Sequence, residues 1–378
     1  MTAQDYSIAI IGAGIGGLAA AATLRQVGVE VRIYEQAKAF ARIGAGIQQS
    51  PNSVKVLHRL GLADRLDAAA FRPHSALNRD SVTGEVTWER MLGVEAEAQF
   101  GAPYYLMHRG DLHEALASVV PESIIERSRK LTGLRQTSDG VELEFESGAN
   151  VTADVVIGAD GVHSVVRETL LGVEAPQFTG RVAYRTTFPA SLLGGMEIDD
   201  CAKWWGPDRH IVMYYVNPGR DEIYFVTSTP EPDFRVESWS AKGDLDVMRE
   251  AYKDFHPQVR AVLDACPEVH KWALVARDPL TKWGEGRITL MGDACHPMTP
   301  YMAQGAATSI EDAAILSRCL DGVTRDGVEQ ALRRYEQTRM GRTARIQTVS
   351  RLNDMNKIKA EIENTYGYDV WEAPLAPA

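Results

Sequence analysis

The sequence predicts an α/β fold: a parallel sheet flanked by helices, interrupted by a β-rich insertion and closed by C-terminal helices. Three observations predict it. An apolar run at 7–11 (SIAII) passes through glycines into a helical pattern at 18–27 and then a second apolar run at 30–34 (EVRIY), the order of a βαβ unit. Two more apolar runs, 153–157 (ADVVI) and 287–291 (RITLM), lie far downstream, and each ends in a glycine followed within two residues by aspartate. Between them, residues 181–228 are rich in aromatic and β-branched side chains, with turn signals at Gly206-Pro207 and Asn217-Pro218-Gly219, as antiparallel sheet requires.

Taken in order, 7–11 suits a strand buried on both faces. The following helix ends at Gly28, a residue that tolerates the conformation of a helix stop. Part of 75–89 joins the antiparallel sheet. From Gln304 the pattern turns helical and stays so to about Lys359, and the proline-containing tail reads as loop. The organisation expected is one nucleotide-binding domain from 1–73, 101–178 and 279–378, with a substrate domain from 74–100 and 179–278.

Composition bounds the function. At 378 residues, with 45% hydrophobic and 24% charged residues, the chain is of ordinary globular make-up. A net charge of -11 disfavours nucleic acid and anionic membrane as partners, because both repel an acidic surface. The four cysteines, Cys201, Cys266, Cys295 and Cys319, form no CxxC pair, so neither a disulfide scaffold nor a structural metal site is expected, and a cytoplasmic location fits. The apolar stretch 7–24 is broken by Gly12, Gly14, Gly16 and Gly17 and lacks a cationic leader; it reads as strand and helix, not as a membrane span.

The glycine run has the form GxGxxG at Gly12, Gly14 and Gly17. The first glycine permits a tight turn, the second lets a pyrophosphate approach the backbone, and the third lets helix and strand pack closely. Helix N-terminal amides then face the phosphates. Glu35 closes the second strand, with Gln36 after it. An acid there accepts ribose hydroxyl protons and repels a 2′-phosphate, so this Rossmann-like pocket suits FAD or NAD and not NADP.

Two later motifs separate FAD from NAD. Asp160–Arg167 reads DGVHSVVR, of the form DGxHSxxR, and Gly292-Asp293-Ala294 precedes Pro297, Pro300 and Gln304-Gly305. With these three motifs in this order the chain resembles the class A flavoprotein aromatic hydroxylases, the p-hydroxybenzoate and salicylate hydroxylase type, over most of its length. The resemblance implies FAD as resident cofactor and NADH as a transient co-substrate, since there is no second nucleotide fingerprint. It implies that Asp293 bonds the ribityl chain and that Pro300 stiffens the loop beside the ring. The helix start at Gly305 and Ala306 would then meet the flavin carbonyl edge. Arg42, Ala45 and Gly46 match a segment beside the flavin. Arg109, in HRGDL, matches an arginine along FAD, or caps a helix in a salt bridge with Asp111. Asp160 serves the cofactor, or pairs with Arg167 to pin a helix.

The chemistry so implied is attack by an electrophilic flavin C4a-hydroperoxide, formed with O2, on a ring activated by a hydroxyl group. The protein supplies a dry pocket, an orienting contact and a proton acceptor. His210 and Tyr214 are four apart, so a regular strand puts both on one face, and they are the expected catalytic pair. Within the family, CxKWW…DRHxxxYY resembles the branch acting on 6-hydroxynicotinate, which implies decarboxylative hydroxylation and adds Cys201 and Pro297 to the substrate pocket. That branch carries histidines where this chain has Gln48 and Tyr301; neither replacement brings positive charge at neutral pH. A related aromatic with its carboxylate placed differently or missing is therefore expected. A salicylate-type hydroxylase is the alternative, and more distantly a non-hydroxylating FAD oxidoreductase or redox sensor. Monomer and homodimer are both open.

Overall fold

The computed structural model describes residues 5–40, 45–234 and 241–377. A six-stranded sheet runs in the order Gly284–Glu285, Ile288–Leu290, Val155–Gly158, Ser7–Ile11, Glu30–Tyr34, Ile125–Glu126. Its pairs are parallel except for the hairpin at the 284–290 edge. Ser7–Ile11 is central, with Ile11 in register with Gly158 on one side and Tyr34 on the other. Three glycine turns therefore leave the carboxyl ends of adjacent strands, where open α/β sheets bind ligands. They touch: Gly12 has φ +101°, and a Cβ there would lie 2.6 Å from the Ala159 carbonyl oxygen.

The first helix spans Ile15–Gln26, starting earlier than its sequence pattern indicated. Gly16 and Gly17 belong to its first turn, and a Cβ on Gly17 would sit 2.0 Å from the Gly12 carbonyl oxygen. The glycine is there for close packing and not to lengthen a loop. On its other side this helix packs on Gly305–Leu320, with Thr23 Oγ1 donating to the Ala313 carbonyl at 2.9 Å.

A seven-stranded sheet runs in the order His270–Ala276, Gln177–Pro189, Glu222–Pro230, His210–Tyr215, Cys201–Trp205, Ser75–Asp80, Val86–Met91. It is antiparallel, as its sequence predicts, except where Cys201–Trp205 pairs parallel with Ser75–Asp80; there the early 75–91 hairpin joins the edge. Two smaller sheets carried too little periodicity to be foreseen: Gly46–Gln49 with Tyr105–His108, and Leu131–Gln136, Val141–Phe145 and Asn150–Ala153. The C-terminal part is helical past its predicted end, as Gly305–Leu320, Val328–Leu352 and Met355–Tyr366. Among the described residues no helix is long and apolar enough to cross a membrane.

Candidate active site

A cavity of about 340 Å³ lies where the glycine turns of the six-stranded sheet face the seven-stranded sheet. On the first side it is lined by Gly14, Gly16, Ala159 and Gly161. A Cβ on Gly14 would meet nothing within 4 Å, so the turn presents bare backbone to the cavity. Glu35 fixes that turn: one carboxylate oxygen accepts from the Ala13 amide at 2.8 Å and the other from Ala37 at 2.7 Å. Gln36 is exposed beside it, and Arg42 lies outside the described residues. Ala45 is buried, its carbonyl accepting from the Arg109 amide at 2.8 Å, while the Arg109 guanidinium lines the cavity with Asp293. Burial lowers the Arg109 pKa and raises that of Asp293, and each opposes the other's shift through its charge. Asp293 is exposed by surface area and lines the cavity.

The helix Gly305–Leu320 points its N-terminus into the cavity at Gly305 and Ala306, and no side chain caps it. The residue that could, Gln304, spends its amide elsewhere: Nε2 donates to Ser50 Oγ at 2.8 Å, and its oxygen accepts from Asn52 Nδ2 at 3.0 Å. The first-turn amides and their dipole are left for a ligand. Two turns deeper, Asp312 accepts from the Gly292 amide (3.0 Å), His296 Nε2 (2.6 Å) and Arg339 Nε (2.7 Å). Burial opposes its charge, yet His296 and Arg339 hold its pKa down to about 2. Glu311 pairs with Arg339 and Arg342, each at 2.8 Å. This network ties the flavin-type loop to the helix Val328–Leu352, and nothing in the sequence motif announces it.

Asp160 and Arg167 do not pair. Asp160 caps the helix Val165–Leu171, accepting from Ser164 Oγ and from the Val165 amide at 2.8 Å, while Arg167 Nη2 donates to Glu174 at 2.6 Å. An acid at a helix N-terminus gains both amides and dipole. Pro300 lines the cavity. Pro297 lines a smaller adjoining pocket of about 120 Å³ with His163, Trp272 and others, and its carbonyl accepts from Gln347 Nε2 at 2.9 Å.

The second side is one face of the seven-stranded sheet. Register fixes who shares it: His210 opposes Ser228, Val212 opposes Val226, and Tyr214 opposes Tyr224. On the next strand Cys201, Lys203 and Trp205 oppose Tyr214, Val212 and His210, and across the sheet Arg185 opposes Val226. Tyr214, Tyr224, Val226 and Arg185 reach the cavity with Gln48; Cys201, His210 and Tyr301 stand outside its lining. The backbone of Gly46 closes on this face, since a Cβ there would lie 2.6 Å from the Tyr224 ring and 2.7 Å from Tyr214 Oη.

Gln48 sits between phenols: its oxygen accepts from Tyr104 Oη at 2.5 Å, and its amide acts to lower the pKa of the neighbouring Tyr214 phenol. Burial pushes the Tyr214 phenol well above its usual pKa, so it keeps its proton. Burial, then Lys203 and Arg181, push His210 well below the usual imidazole range, so its ring is neutral at neutral pH. His210 is 4% exposed, packed at 4.8 Å against the Trp205 ring and at 5.4 Å, edge-on, against Tyr301. Tyr301 Oη meets Ser228 Oγ at 2.9 Å, which clasps the 292–305 loop to the sheet. Burial lifts the Cys201 thiol to about 12, so it is uncharged. It lowers Arg185, which contacts Tyr224 and lies 3.9 Å from the Trp272 ring centroid, to about 10.

The bare turn at Gly14, the carboxylates of Glu35 and Asp293 and the uncapped helix at Gly305 fit a flavin dinucleotide. Residues 5–350 match the family model described as FAD binding domain. The chain is 44% identical to a 6-hydroxynicotinate 3-monooxygenase of Bordetella bronchiseptica, over 97% of this chain and 96% of that one. The chain belongs to the FAD-dependent aromatic hydroxylases. This hydroxylase is also 40% identical to a 3-amino-4-hydroxybenzoate 2-monooxygenase of Streptomyces cremeus, over 92% and 86% of the two chains. Among solved structures, a salicylate hydroxylase substrate complex superposes with a TM-score of 0.83 at 26% identity, covering 99% of both chains. The hydroxylase is thus a single-component FAD aromatic monooxygenase acting on a small aromatic substrate, as its three motifs predict.

Sequence reasoning overlooked Arg185, Lys203, Tyr104 and Tyr224. A signal existed for Lys203, which stands in a strand with Cys201 and Trp205 at i±2 and so shares a face with apolar and aromatic side chains.

Proposed function

We propose that this hydroxylase uses NADH and O2 to hydroxylate a hydroxypyridine carboxylate, 6-hydroxynicotinate or a close analogue, with decarboxylation where the attacked carbon bears the carboxylate. What carries the reading is the pairing, on one sheet face, of a neutral buried imidazole, His210, with a protonated buried phenol, Tyr214. FAD, when bound, supplies the oxygen-activating redox chemistry. Glu35 would accept from the adenosine ribose, the Gly12–Gly17 turn and Arg109 would hold the pyrophosphate, and Asp293 would accept from the ribityl chain. The helix N-terminus at Gly305 and Ala306 faces the flavin carbonyl edge, where it stabilises negative charge.

His210 takes the proton of the substrate hydroxyl and so makes the ring electron-rich. Because Gln48 accepts from Tyr104, its amide N–H is available to Tyr214, which leaves the Tyr214 proton to orient a ring substituent. Cys201 and Tyr301 shape the pocket as neutral groups. In this reading 74–100 and 179–278 form the substrate domain, and the enzyme works in the cytoplasm.

The Streptomyces relative favours a second reading, a hydroxybenzoate substrate, since no group described above requires a ring nitrogen. A panel of hydroxypyridine and hydroxybenzoate carboxylates decides, with oxygen uptake, NADH oxidation and product measured together. Equal stoichiometry with a hydroxypyridine carboxylate is expected. Full coupling only with a hydroxybenzoate selects the second reading, and NADH oxidation without hydroxylated product across the panel overturns both.

A further inference from the structure

We propose that Lys203 is the anchor for the substrate's anionic ring substituent, a carboxylate, and so sets which ring position faces the reacting oxygen. The inference rests on the hydroxylase reading above and adds the residue that orients the substrate. Lys203 opposes Val212, midway between the Trp205–His210 and Cys201–Tyr214 pairs. It therefore stands about 6–7 Å along the sheet from each member of the proton-handling pair, the span of a substituted six-membered ring.

Its Nζ lies 3.9 Å from the Trp205 ring centroid and 5.8 Å from that of Tyr301. Among the described residues no carboxylate pairs with it. The acids at the start of its own strand are committed elsewhere: Asp199 takes the Arg79 guanidinium at 2.8 and 2.9 Å, and Asp200 takes Arg220 at 2.7 Å. Asp80, which opposes Trp205, spends its carboxylate on the Val82 and Thr83 amides. By contrast Lys271, in the same sheet, has its own partner in Glu231.

A shielded ammonium without a counter-ion is costly, and aromatic faces return only part of that cost. The balance is restored when a ligand brings the negative charge. Burial has drawn the Lys203 pKa down to about 7, so an arriving carboxylate also draws a proton back onto it. With no imidazole at 48 or 301, the cations that act on His210 are Lys203 and Arg181; Arg181 spends its guanidinium on Ser228 and the Asp208 carbonyl, whereas Arg185 stands on the far side of Val226 and is shared with Tyr224.

The test is ligand binding to the full-length FAD-loaded enzyme, read by flavin absorbance and tryptophan fluorescence, with paired probes: 6-hydroxynicotinate against 2-hydroxypyridine, and 4-hydroxybenzoate against phenol. Lys203→Met should weaken the carboxylated member roughly 10- to 100-fold and leave its uncarboxylated partner within about twofold. Lys203→Arg should recover part of the loss, which separates charge from shape. FAD content and unfolding temperature, measured on both variants, establish that they are folded. If Lys203→Met and Lys203→Arg both bind carboxylated and uncarboxylated probes as the wild type does, the proposal is overturned while the hydroxylase reading stands. If the wild type binds and hydroxylates none of the probes, it is the substrate reading that fails.

Discussion

Two parts of this hydroxylase bury charge and account for it in opposite ways. Beneath the 292–305 loop, Arg339 and both acids, Glu311 and Asp312, are fully buried, and every charge meets an opposite one at 2.7–2.8 Å. On the face of the seven-stranded sheet, Lys203 is also shielded, yet among the described residues no acid pairs with it, and burial draws its pKa down to about 7. The first region is electrostatically closed and holds a shape. The second is open in the sense that a ligand completes it.

The largest effect should come from unbalancing the closed region. Arg339→Met leaves Glu311 and Asp312 short of a partner and should cost about 3–5 kcal/mol of stability, seen in denaturant unfolding, with loss of FAD because Asp312 no longer holds Gly292. The same change at Lys203 should leave the unfolding midpoint of the ligand-free enzyme unchanged or raised. If both variants are destabilised alike, the contrast is wrong.

Next comes the proton-handling pair. His210→Gln should lower kcat by about 100-fold or more with FAD content intact, as measured by steady-state oxygen uptake on the best substrate. A smaller change is expected with pH. Lys203, with its cation pKa drawn down to about 7, is charged below that value and neutral above it. Carboxylate affinity should therefore fall by roughly tenfold from about pH 6 to about pH 9 in the wild type and stay nearly flat in Lys203→Arg. Of the other titratable groups on the face, His210, Tyr214, Tyr224, Tyr301 and Cys201 are neutral across that window and Arg185, lowered to about 10, is charged. An equal fall in Lys203→Arg would assign the titration elsewhere.

The parts of the fold that were legible in the sequence are those with local periodicity or obligatory glycine. The strands at Ser7–Ile11 and Glu30–Tyr34 stand where their apolar runs are, and the aromatic sheet turns where Gly206-Pro207 and Asn217-Pro218-Gly219 occur. His210 and Tyr214 share a face because strand parity is local. What stayed hidden depends on register between distant segments. Whether Lys203 meets solvent or Tyr301 is settled by the pairing of four strands and by a loop about a hundred residues away. Of the two roles the sequence left open for Asp160, the pairing with Arg167 is not formed, because the carboxylate is taken by Ser164 and the amides of its own helix. The network at Glu311 and Asp312 looks, in sequence, like two polar residues on a helix.

The backbone at Gly46 has a consequence for how this enzyme can be retuned. Tyr214 and Tyr224 rest directly against it, so the headroom over the substrate is set by an atom that glycine lacks. Even an alanine there would evict both rings. Variation that changes what the enzyme accepts is therefore expected at side chains around the rings, Lys203 and positions 48 and 301 among them, which can be exchanged while the main chain stays put. At 48 and 301 the sequence already departs from the pattern of its 6-hydroxynicotinate-type kin.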